Sequence, residues 1–284
     1  MLKALIPLLA ISAISCAKKE AAPTKHEHLE AELIAEVTSI NPGGPFWVAL
    51  KLEMEKDWHV NWRNPGDAGL APTIKWELPP GFTAGEINWP IPQRIPVADL
   101  MLFGYEGEVL LLVEITPPTI YSDDEFTLSA TCDWVVCGDV CIPGEARLTL
   151  TLPVKEGALQ INTEHAAQFV STRNNTPIAN DIFNLTASAS DDAIHINLVP
   201  ISEENNKIDW LVFFPEVQGI INNAAEQKLS QEGIGYHSDI GKDKMFPNVT
   251  EKLKGIIVFK SKEVSAARGL FVDVPLSKQI SFRN

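Results

Sequence analysis

From residue 29 onward the chain alternates apolar and polar side chains with a period of two. Phe46, Val48, Leu50, Leu52 and Met54 point one way, and Trp47, Ala49, Lys51, Glu53 and Glu55 point the other. That alternation predicts a half-buried strand. Ile74-Trp76-Leu78, Phe126-Leu128-Ala130 and Ala146-Leu148-Leu150-Leu152 repeat it. Leu110 to Val113 is instead a continuous apolar run, which predicts a strand covered on both faces. Asn41-Pro-Gly-Gly44, Asn64-Pro-Gly-Asp67 and Pro79-Pro-Gly81 are turn punctuation between these runs. Many short strands separated by such turns predict an all-β fold, an immunoglobulin-like β-sandwich over residues 29–153.

The pattern breaks after Pro153. Residues 162–172 place Ala166, Phe169 and Val170 on one face behind a cap-like Asn162 or Thr163, which predicts one short helix. Strands resume at Phe183-Leu185-Ala187, Ile194-Ile196-Leu198, Trp210 to Phe214, Ile256 to Phe259 and Leu270-Val272-Val274. We read a second, smaller β-rich domain carrying that helix over residues 160–284. The two halves show no obvious sequence repeat.

Ahead of the strands, residues 1–15 read as an address. Lys3 precedes an apolar run from Ala4 to Ile14, short of the ~20 residues that span a bilayer and typical of a secretory signal peptide. Ala13 and Ser15 are small residues at −3 and −1 before Cys16. This resembles the lipobox of bacterial lipoproteins, with lipid on the Cys16 thiol, although that family prefers Leu at −3. Ordinary cleavage at the same bond is the alternative, and both export the protein. Residues 16–28 are then a polar tether, lipid-anchored in the first case. His26 and His28 form a His-x-His pair within it, read as solvated rather than metal-binding.

Charge narrows the partners. Lys plus Arg is 23 against 37 Asp plus Glu, a net charge of −14, which argues against nucleic acid. Four cysteines in 284 residues are too few to build a scaffold from disulfides.

Three of those cysteines, Cys132, Cys137 and Cys141, nevertheless fall within ten residues, in TCDWVVCGDVCIPGEA. A three-residue Gly138-Asp139-Val140 loop between antiparallel strands would set Cys137 opposite Cys141, with Cα atoms ~4.5–5.5 Å apart, close enough for a disulfide. Pro143 suits an edge or bulge position. So small a ring removes little unfolded-chain entropy and is a poor staple. At a loop tip in an exported protein it is accessible to exchange. Acidic neighbours Asp133, Asp139 and Glu145 disfavour a thiolate, so neither cysteine is expected to be strongly acidified. A purely structural disulfide and a zinc or copper(I) site stay open, although no second ligand pair accompanies the cysteines. Cys132 continues the inward phase of Phe126, Leu128 and Ala130 and reads as a buried strand residue.

WVVCGDVCIPGEA, together with DWHVNWRNPGDAGLAPTIKWELPPGFTAGEINWP and FGYEGEVLLLVEITPP upstream, closely resembles the N-terminal periplasmic region of the thiol:disulfide interchange protein DsbD. The likeness is nearest to its longer relatives of the suppressor-of-copper-sensitivity ScsB type. It covers residues 29–153 strongly, and FFPEVQGIINNAAEQ at 213–227 more loosely resembles those relatives' second β-domain. The resemblance implies a redox cysteine pair, Cys137 and Cys141, on an immunoglobulin-like domain of a protein-disulfide reductase system, with no cofactor. It implies electrons taken from a membrane-embedded module through a thioredoxin-like domain and passed to exported oxidoreductases. The family's settings are cytochrome c biogenesis and copper tolerance. It further implies a cap loop at Phe103-Gly104-Tyr105-Glu106-Gly107, with Tyr105 or Phe103 as the shield, and an aromatic near the cysteines at Trp62. Two departures stand out. Only three residues separate the paired cysteines, and the sequence stops at Asn284 without the membrane or thioredoxin-like modules, so the expected electron carrier is a separate membrane protein. A non-catalytic β-sandwich adaptor, or a copper-handling protein with a structural disulfide, is the competing expectation.

Overall fold

The computed structural model describes residues 23–155, 157, 159–202, 207–244, 251–261 and 266–278. The expected signal peptide and the Cys16 lipidation site lie outside the described residues.

The first eleven strands are β1 (Thr24–His26), β2 (Leu29–Ala35), β3 (Phe46–Met54), β4 (His59–Gly66), β5 (Thr73–Glu77), β6 (Thr83–Ala84), β7 (Gln93–Val97), β8 (Leu100–Glu106), β9 (Glu108–Thr116), β10 (Glu125–Cys137) and β11 (Cys141–Pro153). They form two sheets, ordered β1-β2-β3-β9-β6 and β11-β10-β4-β8-β7, with β5 pairing on β10 beside β4. The inward phase read from the sequence is the observed one. Phe46, Val48, Leu50, Leu52 and Met54 from one sheet and Phe126, Leu128, Ala130, Ala146, Leu148, Leu150 and Leu152 from the other share a single buried core. This is the expected sandwich.

One helix, α1 (Ala166–Asn174), follows. It belongs to the first sandwich in packing, not to the second domain where it was expected. Phe169 is buried against Ile34, Ala49, Leu110 and Leu112 on the outer face of β2, β3 and β9. This explains the continuous apolar run in β9: Leu111 and Val113 face the core while Leu110 and Leu112 lie under the helix. Arg173 clamps the arrangement with a two-pronged contact to Glu36, one prong of 2.6 Å. Val170, expected on the buried face, is 54% exposed. Asn162 does not cap the helix directly. Its Oδ1 accepts from the Glu164 N–H at 3.3 Å in a turn before the first helical residue.

The second half holds β12 (Phe183–Ala189), β13 (Ala193–Pro200), β14 (Ile208–Pro215), β15 (Lys228–Glu232), β16 (Gly235–Gly241), β17 (Lys252–Ser261) and β18 (Arg268–Lys278). These seven strands are ordered β14-β17-β18-β12-β13-β16-β15, with β12 and β18 parallel, around a core of their own. The five strands expected here are present. β15 and β16 went unread because β15 is almost wholly exposed and its polar sequence shows no alternation.

The halves meet on aromatic and polar contacts. Phe214 sits edge-on to Trp62 and Phe103, at ring separations of 6.2 and 5.0 Å. The Asn64 side-chain amide donates to the Pro215 carbonyl at 2.7 Å, and the Arg94 guanidinium donates to the Asn223 carbonyl at 2.5 Å. Asn64-Pro-Gly-Asp67, expected as turn punctuation, is instead strand as far as Gly66, the bulged end of β4, and Asn64 ties it into this junction.

Residues 24–28 also differ from the expected tether. Thr24–His26 pair with β2, and His28 closes the turn between them. Pairing an otherwise open sheet edge and stacking His28 on an indole give this short segment enough contact to be ordered.

Candidate functional site at the tip of the β10–β11 hairpin

β10 and β11 are paired without interruption from Glu125↔Pro153 to Cys137↔Cys141. The three intervening residues make the tight loop, with the Gly138 N–H donating to the Val140 carbonyl at 3.0 Å. Cys137 and Cys141 are joined by a disulfide with a Cα–Cα separation of 4.1 Å. The pairing foreseen from the spacing is present, slightly tighter than two opposed strand positions require.

Strand parity decides which way each sulfur faces. Cys132, Trp134 and Val136 point into the sandwich core. Cys137 is odd in that series and lies on the outer face. It is only 3% exposed, while its partner Cys141 at the edge of the sheet is exposed. The pair thus presents one open and one covered sulfur. Val140, 60% exposed, and exposed Pro143 flank Cys141 and give its approach an apolar rim.

Part of the cover over this loop is Trp58. A Cβ placed on Gly138 would lie 3.0 Å from the Trp58 ring, so a larger residue there would push the indole back by a few tenths of an ångström. On its other side Trp58 stacks on His28, with ring centroids 3.8 Å apart and planes 8° from parallel. His28 in turn bonds Glu55 through Nδ1 at 2.7 Å. His28 (φ 60°) and Asp57 (φ 69°) both adopt left-handed backbone, which aims the two turns at each other. The Glu55 N–H donates to the His28 carbonyl at 3.0 Å, and the Met54 N–H to the Gly107 carbonyl at 2.7 Å. The turns β1–β2, β3–β4, β8–β9 and β10–β11 therefore converge at one end of the sandwich.

His59, the first residue of β4, is register-paired with Cys137 on one side and with Glu106 on the other. It is 3% exposed, and its Nε2 is buried with no hydrogen-bond partner. Burial holds its imidazole below the ordinary value, with the negative charge of Glu106 pulling the other way.

The remaining expected residues lie elsewhere. The anticipated cap loop is mostly strand: Phe103, Gly104, Tyr105 and Glu106 are in β8, and Gly107 alone is the turn residue. Phe103 and Tyr105 point inward, on the opposite face from the disulfide, and cannot shield it. Phe103 meets Phe214, and the Tyr105 hydroxyl donates to the Pro90 carbonyl at 2.7 Å. Full burial raises the Tyr105 phenol well above its ordinary range. Trp62 is 2% exposed and packs at the junction with the second half, not beside the cysteines. Its place near the loop is taken by Trp58, four residues earlier in the same DWHVNW segment. Cys132 is five strand positions from Cys137 and on the other face. Its thiol is pushed up to about 12 by burial and by Asp133. The signal that points to Trp58 and His59 is their place at the start of a strand that the cysteine hairpin pairs with, and that pairing is not local in sequence.

Of the acidic neighbours, Asp133 is engaged by partners of its own. Asp133 accepts from the Thr73 hydroxyl at 3.0 Å and lies 3.3 Å from Lys75, and these contacts hold its carboxyl below the usual range. Among the described residues no group of three or more His, Cys, Asp or Glu is gathered as a metal site. No described helix is long and apolar enough to cross a membrane.

Comparison with known proteins bears on this site directly. Residues 26–153 match the family described as thiol:disulfide interchange protein DsbD, N-terminal. The crystal structure of the N-terminal periplasmic domain of ScsB from Proteus mirabilis superposes with a TM-score of 0.66 at 16% identity, covering 91% of this chain and 99% of that one. A protein of unknown function from Porphyromonas gingivalis W83 covers 88% of this chain at 12% identity, with a TM-score of 0.25. No curated protein matches the chain.

Proposed function

We propose that this chain, whose residues 26–153 match the DsbD N-terminal family, is a periplasmic thiol–disulfide exchange protein working through Cys137 and Cys141. One observation carries the reading: a disulfide at a hairpin tip with one sulfur open and the other covered. A partner thiolate attacks exposed Cys141. The Cys137–Cys141 bond breaks, a Cys141–partner mixed disulfide forms, and Cys137 leaves with the electron pair. A second partner thiol then displaces Cys141 and leaves the chain with two thiols and the partner with a disulfide. In the reverse direction the Cys141 thiolate attacks a partner disulfide, and Cys137 resolves the mixed disulfide. The covered position of Cys137 suits it to the resolving role, because only Cys141 meets solvent.

The partners of this reading are thioredoxin-like exported oxidoreductases on one side and a separate membrane electron carrier on the other. Lipid on Cys16 would hold the domain at the membrane surface. Trp58 takes the covering role that the family resemblance assigned to Phe103 or Tyr105.

Trapping tests the proposal. A Cys137→Ser chain expressed in its host should accumulate mixed disulfides through Cys141, identifiable by mass, and a Cys141→Ser chain should accumulate few. A reduction potential far below the thioredoxin range of ~−270 mV, with no adduct in either variant, would identify a fixed disulfide and an adaptor instead.

A further inference from the structure

Directly opposed residues of an antiparallel sheet share a face, with Cβ atoms ~4.5–5.5 Å apart. Three such pairs follow one another here: Glu106↔His59, His59↔Cys137 and Cys137↔Cys141. A carboxylate, an imidazole and two sulfurs therefore stand in one row across β8, β4, β10 and β11. The row is exposed at both ends, Glu106 and Cys141, and buried in the middle, His59 and Cys137. From this row we infer that His59, backed by Glu106, is the proton partner of Cys137 during exchange. The inference rests on the functional reading above and adds a residue to it.

Three physical points favour it. A histidine buried in a strand with an unpartnered nitrogen destabilises the fold, so packing alone gives no reason for it. Burial favours the neutral ring and the charge of Glu106 favours the protonated one, so both forms have a physical support at the site. Finally, Cys137 is covered, so water is poorly placed to supply or remove its proton. Register sets Glu106 from β8 and Cys137 from β10 against His59. Asp57 and Asp139 lie in the neighbouring turns, where Glu55 is bonded to His28.

The steps balance without any further reagent. When a partner thiolate opens the disulfide, Cys137 leaves as a thiolate and takes a proton from the His59 imidazolium, which is reprotonated from solvent at the exposed Glu106 end of the row. In the reverse direction neutral His59 takes the proton from the Cys137 thiol. The thiolate attacks the Cys141 sulfur of the mixed disulfide, the Cys141–partner bond breaks, and the partner leaves as a thiolate.

Two measurements test this. In a Cys141→Ser chain, the pH dependence of Cys137 alkylation, read on its own peptide by mass, reports the thiol directly. Adding His59→Gln should slow alkylation at pH 7 about tenfold, a rise of about one pKa unit in the Cys137 thiol. In the unmodified chain, the His59 ring followed by NMR should titrate at different pH in the disulfide and dithiol states, and Glu106→Gln should lower its midpoint in both. An unchanged alkylation profile in folded His59→Gln, or the same His59 midpoint in both redox states, overturns the assignment. The second measurement decides the matter even if His59→Gln does not fold. Failure of the unmodified chain to exchange with a thioredoxin-like protein would instead overturn the functional reading.

Discussion

The inner face of β10 around Cys132 and its outer face around Cys137 put the same side-chain chemistry in two different environments. Cys132 is enclosed by the sandwich core, and its thiol is pushed up to about 12. Cys137 is as little exposed, yet it is bonded to an open partner and stands beside a buried histidine. Burial alone therefore does not separate an inert cysteine from a usable one. What separates them is which face of the sheet the position falls on, and how far it stands from the sheet's edge and end. Five residues along a strand change both.

The sharpest way to break this comparison is to remove each sulfur in turn. Replacing Cys137 or Cys141 with Ser should abolish exchange with a thioredoxin-like protein, while Cys132→Ala should leave the rate unchanged. If Cys132→Ala also stopped exchange in a folded chain, the two faces would not be independent.

Stability should respond in the opposite sense. Cys132→Ser puts an unpartnered hydroxyl in an apolar core and should lower unfolding free energy by about 1–3 kcal/mol in denaturant titration. The disulfide closes too short a loop for its reduction to have a comparable effect through chain entropy.

A smaller effect is expected at the cover. Gly138→Ala brings a methyl within 3.0 Å of the Trp58 ring and pushes the indole back, and Trp58→Ala removes the stack on His28. Both should speed reduction of the disulfide by dithiothreitol. Trp58→Ala should in addition cost about 1 kcal/mol for the lost ring pair.

The smallest effect concerns pH. His59 has a lowered pKa when folded, so the unfolded chain binds its proton first as pH falls. Its contribution to stability is present above the ordinary value of 6.5 and is lost as pH drops through the folded value. His59→Gln should flatten that part of the stability–pH curve, and equal slopes for both chains would show that the ring titrates alike folded and unfolded.

Much of the fold was legible because alternation reports which face of a strand is buried without reference to its neighbours. It placed β3, β9, β10, β11 and five strands of the second half, and it set Cys132 inward. It failed for β15, whose polar residues alternate nothing, and it misplaced α1, because a helix's apolar face does not say which sheet it will cover. The cysteine pair was legible from a three-residue spacing, since a tight hairpin brings its flanks together by local geometry. Its surroundings were not. The family resemblance points to Trp62 as the nearby aromatic and to Phe103 or Tyr105 as the shield, with plain core packing as the alternative for each; all three are core residues, and Trp58 lies over the loop.

By itself the amino-acid sequence determined the parity of each strand, the closeness of Cys137 to Cys141 and the core position of Cys132, because these follow from a period of two and a short turn. Only tertiary structure decided that β4 lies between β10 and β8, which sets His59 between Cys137 and Glu106 and brings Trp58 onto Gly138. Strand order joins residues from about 30 to 80 positions apart in the chain, and no local pattern of side chains encodes it.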